Sequence, residues 1–367
     1  MPKIPWGKDI ELAGIELVLQ ANANALIRPN YTTNLHAWFL DCIRQDDPEL
    51  SAILHDEQAE KSFTISNLQG KLIPRAEGFE LVSGTKYLWQ ITGFDHKFCT
   101  WLGQWFQNLP HYVNLRVTSF TILGGSIYLK PTTYQALWSE SIGFQSNFNL
   151  TFTSPTSFRH KKHHLPLPIP ENIFHSYLRR WDNFANIGTQ NIDTEEFLAW
   201  VDEIIFINSH SITCTKVASG KQGFVTGFIG RVEFGIDRKA NQKPNFEQLL
   251  YVLIQFAPYC GTGHKTTFGL GQTKLGAIAN IDLVTASPIQ QELIAQRVEQ
   301  LIEQFIKLKK QQNTERAKKT ALLWAMLLAR REMGESLQAI ALDLEIPYTT
   351  AKTYVKLARK ALREQQI

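Results

Sequence analysis

The segment GTGHKTTFGLG, from Gly261 to Gly271, has two glycines at each end of a polar and basic centre. It follows FEQLLYVLIQFAPY, which has the apolar spacing of a helix, and it precedes KLGAIANIDL, which is typical of a strand. Glycine adopts backbone angles that side chains forbid and lets other groups approach the backbone closely. A loop of this kind can direct backbone N–H groups at one phosphate, and His264, Lys265 and Thr266 add donors and charge.

Two common nucleotide-binding loops do not fit this segment. The Walker motif needs Gly-Lys-Ser/Thr at the start of a helix, and the Rossmann fingerprint also leads into a helix. Here a predicted strand follows the glycines. A nucleotide cofactor is therefore disfavoured, and a phosphodiester backbone is the ligand class that remains.

Outward from the loop, the chain repeats one order of elements twice. Residues 1–130 run strand, helix, strands, helix, strand, with LHAWFLDCIRQ and HKFCTWLGQWFQNL as the two main helices. From Phe148 the order recurs as the strand FNLTFTSPTSFR, the helix ENIFHSYLRRWDNFA, the strands FLAWVDEIIFINSHSITCTKV and QGFVTGFIGRVEFGI, and the helix before the loop. Two βαββαβ units predict two ferredoxin-like domains, each a sheet covered by helices.

The residues after Pro288 are different in composition and predict an all-helical tail. The segment ESLQAIALDLEIPYTTAKTYVKLARKALRE has two apolar helical stripes on either side of the corner EIP, which is the layout of a helix-turn-helix. The whole chain is therefore predicted to be α+β, with two tandem ferredoxin-like (RRM-like) domains at 10–135 and 146–284 and a helix-turn-helix tail at 288–367.

Composition excludes several classes of protein. The chain of 367 residues is 44% hydrophobic and 20% charged, without an apolar run that could span a membrane and without a secretory signal. The cysteines form no CxxC pair, so neither a disulfide framework nor a cysteine zinc site is expected. We expect a cytoplasmic protein without a membrane partner, metal or cofactor. Residues 286–367 carry 14 Lys and Arg against 9 Asp and Glu, which favours an anionic partner for the tail.

The glycine pattern resembles that of a known superfamily. Gly-x-Gly, five residues, Gly-x-Gly is the order found in the repeat-associated (RAMP) proteins of CRISPR systems, and Gly261, Gly263, Gly269 and Gly271 match it completely. Together with LHAWFLDCI, with DPELSAILHD followed by KSFTIS, and with FTSPTSFR, the pattern makes residues 10–282 similar to the Cas-six type endoribonucleases, which cut CRISPR repeat RNA. The tail lies outside the usual family pattern and looks like region four of sigma factors.

The resemblance implies a reaction and a set of catalytic residues. Family members cleave RNA without a metal, by attack of a ribose 2′-OH on the adjacent phosphate, and leave a 2′,3′-cyclic phosphate. His36 and His55 are the candidates for the proton transfers, and the sequence leaves open which of them is the main acid or base. Lys61 suits the stabilisation of charge on the phosphorane, and Tyr31 could orient the attacking group.

The same resemblance implies an RNA-binding surface. Its predicted members are the loop residues Gly261, Gly263, His264, Lys265, Thr266, Gly269 and Gly271 together with Arg159, Lys161 and Lys162. Three histidines beside the last group, in FRHKKHHLPLP, could also suggest a metal site, but no carboxylate flanks them. In the tail, the residues predicted to contact nucleic acid are Thr349, Thr350, Lys352, Thr353 and Lys356.

The expected partners are CRISPR repeat RNA and subunits of a CRISPR effector complex, with DNA or a protein as further possibilities for the tail. Two other functions stay open at this point. One is a repeat-RNA-binding subunit that does not cleave, because such a protein would share the glycine loop without needing the histidines. The other is a DNA-binding regulator that acts through the helix-turn-helix.

Overall fold

The computed structural model describes most of the chain. The described residues are 6–55, 60–75, 78–140, 145–161, 163–185, 187–189, 192–219, 223–277, 297–298, 300–306, 315–332, 337–344 and 346–363. They fall into two compact units, one within 1–72 and 80–287 and the other within 73–79 and 288–367. The larger unit contains both predicted ferredoxin-like domains apart from residues 73–79, which belong to the smaller unit.

The first half of the larger unit is built on an antiparallel five-stranded sheet. The strands in this part of the sequence are β1 (Leu12–Ala21), β2 (Ala25–Ile27), β3 (Phe63–Ile65), β4 (Ile73–Arg75), β5 (Gly78–Leu81), β6 (Lys86–Gly93), β7 (Tyr112–Asn114) and β8 (Ser119–Thr132). The sheet has the order β3-β6-β1-β8-β7. Along β1, Ile15, Leu17 and Leu19 are fully buried and alternate with half-buried residues, as expected for a strand with one face on the core.

The second half repeats this topology in a four-stranded antiparallel sheet. Its strands are β9 (Asn147–Thr156), β12 (Ile205–Ser219), β13 (Gly223–Ile236) and β14 (Thr273–Leu275), and a separate hairpin is formed by β10 (Phe158–His160) and β11 (His163–Leu165). The order is β12-β13-β9-β14. In the first sheet β6 lies between β1 and β3, and β8 lies on the other side of β1. In the second sheet β13 lies between β9 and β12, and β14 lies on the other side of β9. This is the ferredoxin-like order that the repeated element pattern predicted.

Helices cover these sheets. They are α1 (Tyr31–Asp46), α2 (Pro48–His55), α3 (His96–Gln107), α4 (Tyr134–Ser139), α5 (Pro170–Phe184), α6 (Thr194–Ile204) and α7 (Pro244–Cys260). The carboxylate of Asp95 caps α3 by accepting from the N–H of Phe98. Helix α7 contacts β14 of the second sheet as well as β3 and β6 of the first, so its C-terminal end lies between the two domains.

One strand prediction was wrong. The segment FLAWVDEIIF was assigned to a strand, but Thr194–Ile204 forms α6 and only the residues after it form β12. Asp193 caps this helix by accepting from the N–H of Glu196, and Phe197, Val201 and Ile204 are buried at helical spacing. The capping residue was the sequence signal that distinguishes this apolar run from a buried strand.

The described part of the tail is helical, as predicted. Its helices are α8 (Glu315–Glu332), α9 (Leu337–Asp343) and α10 (Tyr348–Arg363), and residues 300–306 are also helical. Leu301, Phe305, Leu328, Ile340 and Val355 are members of one buried apolar cluster, which is the core of the smaller unit. Within the described residues, no helix combines the length and the hydropathy needed to cross a bilayer.

Candidate functional site

The glycine loop at residues 261–271 continues directly from α7 and is buried along most of its length. Its four glycines all have positive φ, between +67° and +82°. A Cβ on Gly263 would overlap the carbonyl oxygen of Ser157, and a Cβ on Gly271 would overlap that of Thr262. The glycines are therefore required by the backbone conformation and by close packing within the protein.

Hydrogen bonds inside the protein already use the N–H groups at both ends of the loop. The N–H groups of Gly261 and Thr262 donate to the carbonyl oxygens of Ala257 and Gly271, at 2.9 and 2.8 Å. The N–H of His264 donates to the carbonyl oxygen of Ser157 at 3.2 Å, and at the other end the N–H of Gly271 donates to that of Pro155 at 3.1 Å. The expected contact between this loop and a phosphate therefore depends on its central residues and their side chains.

Arg180 of α5 fixes the start of the loop. Its guanidinium is almost fully buried and donates to the carbonyl oxygens of Gly261 and Gly263, at 2.9 and 2.6 Å. It also forms an ion pair with Glu60 at 3.1 Å. Since Glu60 immediately precedes Lys61, this network connects the loop of the second domain to a predicted catalytic residue of the first.

The centre of the loop lies on the predicted catalytic histidine. Residues Thr266–Phe268 form a single 3₁₀ turn that contacts α1 and β3. The Phe268 ring lies 4.3 Å from the His36 imidazole, measured between ring centroids, and Phe63 stacks on the same imidazole at 5.9 Å. The half-buried His36 is thus enclosed by an aromatic ring from each domain.

His55 and Lys61 lie close enough to His36 to influence its charge. Burial lowers the pKa of His36 to about 4, and the charges of His55 and Lys61 contribute to this shift. His55 is the exposed last residue of α2, and the half-buried Lys61 lies two residues before β3. The three predicted residues therefore form one cluster, in which His36 is a neutral imidazole at neutral pH.

Tyr31 is in a different environment from this cluster. Its side chain is buried, and its hydroxyl oxygen accepts a hydrogen bond from the N–H of Leu68 at 3.1 Å. Burial raises the pKa of the Tyr31 phenol. The bond holds the segment after β3, where Asn67 lies against Gly269 of the loop. Tyr31 is therefore connected to the glycine loop through this segment.

The predicted RNA-binding residues outside the loop lie on the β10–β11 hairpin. The imidazoles of His164 in β11 and His264 in the loop are stacked, with ring centroids 5.1 Å apart. Burial lowers the pKa of Lys265, and the charge of Arg159 lowers it further, so these two cations are neighbours. Lys161 is exposed with a φ of 54°, and Lys162 lies outside the described residues. The hairpin and the loop thus form a shared basic surface.

The network of Arg180 and Glu60 was not predicted from the sequence. A signal for it exists, because Arg180 falls at helical spacing with the buried Ile173, Tyr177 and Trp181 of α5. A charged residue within an apolar stripe needs a buried partner. The sequence indicates that such a partner exists, but only the structure identifies it. Here the partners are an acid from the first domain and two loop carbonyl groups.

The two halves of the larger unit match models of one protein family. Residues 14–149 match the CRISPR Cas6 N-terminal domain, and residues 150–273 match the CRISPR-associated endoribonuclease Cas6. None of the curated proteins compared with the chain matches it.

Solved structures of the same family have a similar fold. One Cas6 product complex has a TM-score of 0.60 and 20% identity, and the match covers 72% of this chain and 100% of that one. Another Cas6 product complex has a TM-score of 0.56 and 23% identity, with coverage of 72% and 99%. A Thermus thermophilus Cas6 has a TM-score of 0.56 and 20% identity, and the match covers 74% of this chain and 100% of that one.

Proposed function

Because the chain belongs to the Cas6 family of CRISPR-associated endoribonucleases, we propose that it cleaves the repeat RNA of a CRISPR precursor transcript, without a metal, at the cluster of His36, His55 and Lys61. The observation that carries this proposal is the convergence of two separate parts of the chain. The glycine loop of the second domain rests through Phe268 on His36 of the first. RNA held on the basic surface of the loop and hairpin would therefore lie beside the acid–base cluster.

The chemistry follows from the charge of each group. Neutral His36 accepts the proton of a ribose 2′-OH, whose oxygen then attacks the adjacent phosphorus. Lys61 stabilises the negative charge of the phosphorane, and His55 donates a proton to the leaving 5′-oxygen. The bond from the 2′-oxygen to phosphorus forms and the bond from phosphorus to the 5′-oxygen breaks. The products carry a 2′,3′-cyclic phosphate and a 5′-OH.

Binding is proposed to depend on the basic surface rather than on the histidines of the cluster. Arg159, Lys161 and Lys265 would contact the RNA backbone. The predicted contact by His264 is not part of this proposal, because burial lowers the pKa of its imidazole to about 4 and its Nδ1 is hydrogen-bonded to the carbonyl oxygen of Ser157 at 2.8 Å. Tyr31 acts as a positioning residue through the segment that contains Asn67. Binding to subunits of a CRISPR effector complex remains a prediction, as does a location in the cytoplasm.

The reaction is tested with a CRISPR repeat RNA and the same RNA that carries a 2′-deoxy sugar before the scissile phosphate. In excess EDTA we expect the first RNA to be cut once, with a cyclic phosphate on the upstream product. The deoxy RNA should bind equally well and remain intact, because it lacks the nucleophile. Cleavage of the deoxy RNA, or cleavage that requires magnesium, would overturn the proposed mechanism.

The binding surface is tested separately with Lys265→Ala. We expect weaker binding of repeat RNA and a salt dependence whose slope falls by about 0.7, the value for one phosphate contact on a single strand. Lys239→Ala is the matched control, because Lys239 is exposed on another part of the same unit. Equal affinity and slope for the two variants would remove Lys265 from the interface.

A further inference from the structure

The helix α10 carries an unusual density of positive charge on one face. Its sequence, YTTAKTYVKLARKALR, contains five basic residues and no acidic residue. Thr349, Lys352, Thr353 and Lys356 are exposed and follow one another at the spacing of a single helix face. The opposite face carries Ala351, Val355 and Ala358, which are buried in the core of the smaller unit.

The remaining helices of this unit support α10 from its apolar side. Ile340 and Ala341 of α9 belong to the same buried cluster, and α9 contacts α10 directly across a short corner. The ion pair of Arg297 with Glu332, with its shortest distance at 2.7 Å, ties a further helical segment to the end of α8. The small residues Ala351 and Ala358 let α9 and its neighbours approach α10 closely, so the basic face projects away from the core.

Beside α10 lies an open concavity with a volume of about 1070 Å³. Among the described residues, five basic side chains and no acidic one line it: Arg331, Lys352, Lys356, Arg359 and Lys360. A surface of this sign and shape fits a chain of phosphates that runs alongside the projecting helix.

From this geometry we propose that the C-terminal unit binds double-stranded DNA, with α10 in the major groove and one phosphate strand in the adjacent concavity. The major groove of B-DNA is wide enough to admit an α-helix. The major groove of an RNA duplex is deep and narrow, so the same helix cannot enter it. This site is separate from the proposed RNA-cleaving site and does not depend on it.

The test compares binding of the full-length protein to a short mixed-sequence DNA duplex and to an RNA duplex of the same length, by fluorescence anisotropy over a range of salt. We expect the DNA duplex to bind more tightly. The double variant Lys352→Gln and Lys356→Gln should lose at least about tenfold in DNA affinity, and its salt slope should fall by about 1.8, the value for two phosphate contacts. The matched control is the double variant Arg238→Gln and Lys239→Gln, which removes two exposed charges from the larger unit.

Cleavage of repeat RNA is measured on the same preparations, so that the two sites are distinguished. The tail variant should cleave as the unmodified protein does, and a failure of the unmodified protein to cleave would count against the proposed function alone. The DNA proposal is overturned by equal DNA affinity of the tail variant and the control, or by the absence of DNA binding. It is also overturned if the tail variant loses affinity for repeat RNA and not for DNA, because α10 would then bind RNA.

Discussion

The imidazole of His36 lies between the Phe268 and Phe63 rings, and this environment fixes its protonation state. Burial removes water from the ring and therefore penalises the charged form. The charges of His55 and Lys61 act in the same direction. His36 is thus a proton acceptor throughout the neutral range, which suits activation of a 2′-OH and does not suit protonation of a leaving group.

The pH dependence of cleavage tests this assignment. Below its pKa, His36 is protonated and cannot accept a proton, so we expect kcat/KM to fall as the pH falls through about 4. An unperturbed histidine would give this fall near pH 6.5. In Lys61→Gln, one of the charges that lowers the pKa is removed, so the acid limb should move to higher pH in addition to any loss of rate.

Lys71→Gln is the control for this experiment, because Lys71 is exposed and is not one of the charges that lower the pKa of His36. Its acid limb should coincide with that of the unmodified protein. An acid limb near pH 6.5 that is the same in all three proteins would contradict the role of His36 as the base.

At the scale of single elements, the glycine loop is a packed structural unit. Gly271→Ala would force a side chain against the carbonyl oxygen of Thr262, at a residue with positive φ. Gly276 also has positive φ, but a Cβ there would meet no atom within 4 Å. Both substitutions strain the backbone, so the difference between them measures the packing alone. We expect Gly271→Ala to lower the free energy of unfolding by roughly 1–3 kcal/mol more than Gly276→Ala, measured by urea denaturation; equal values would show that the loop tolerates side chains.

The hydrogen bonds and ion pairs that hold the loop allow a second comparison, between substitutions of two neighbouring arginines. Arg179 and Arg180 both contact Glu60, but only Arg180 is buried and reaches the loop carbonyl groups. We expect Arg180→Gln to cost about 3–5 kcal/mol of unfolding free energy, because it leaves two buried carbonyl groups without their guanidinium partner and leaves Glu60 paired with the exposed Arg179 alone. Arg179→Gln should cost about 0–1 kcal/mol, as is usual for an exposed ion pair. If the two variants have the same stability and the same affinity for repeat RNA, Arg180 does not organise the loop.

The helices and strands could be predicted where their signals are local. Alternation in β1 and helical periodicity in α1, α3 and α7 were sufficient, because these patterns depend on neighbouring residues. The sequence was ambiguous at FLAWVDEIIF, since its two short apolar runs, on either side of Asp202 and Glu203, fit buried strands as well as a buried helix. The occupied N–H groups of the glycine loop could not be predicted, because their acceptors include Ser157, which is remote in sequence.

At the scale of the whole molecule, the repeated order of elements predicted two ferredoxin-like sheets, and this prediction is confirmed. The order of elements along the sequence could not predict how one domain packs on the other. Helix α7 contacts strands of both sheets and leads into the loop, and the loop brings Phe268 against His36, a residue more than 200 positions away in the sequence. The candidate residues of the active site could therefore be predicted from the sequence, whereas their proximity to the glycine loop could be seen only in the structure.

In the proposed reaction, His36 and His55 cut the RNA that the glycine loop and the hairpin hold. Its most direct test is the single-turnover cleavage of repeat RNA in excess EDTA by the unmodified protein, His36→Ala, His55→Ala and the double variant, with RNA affinity measured in parallel. We expect each single variant to be slower by roughly 10²–10⁴, the usual contribution of one acid or base group, with affinity almost unchanged. A double variant that cleaves at the rate of the unmodified protein would contradict the account.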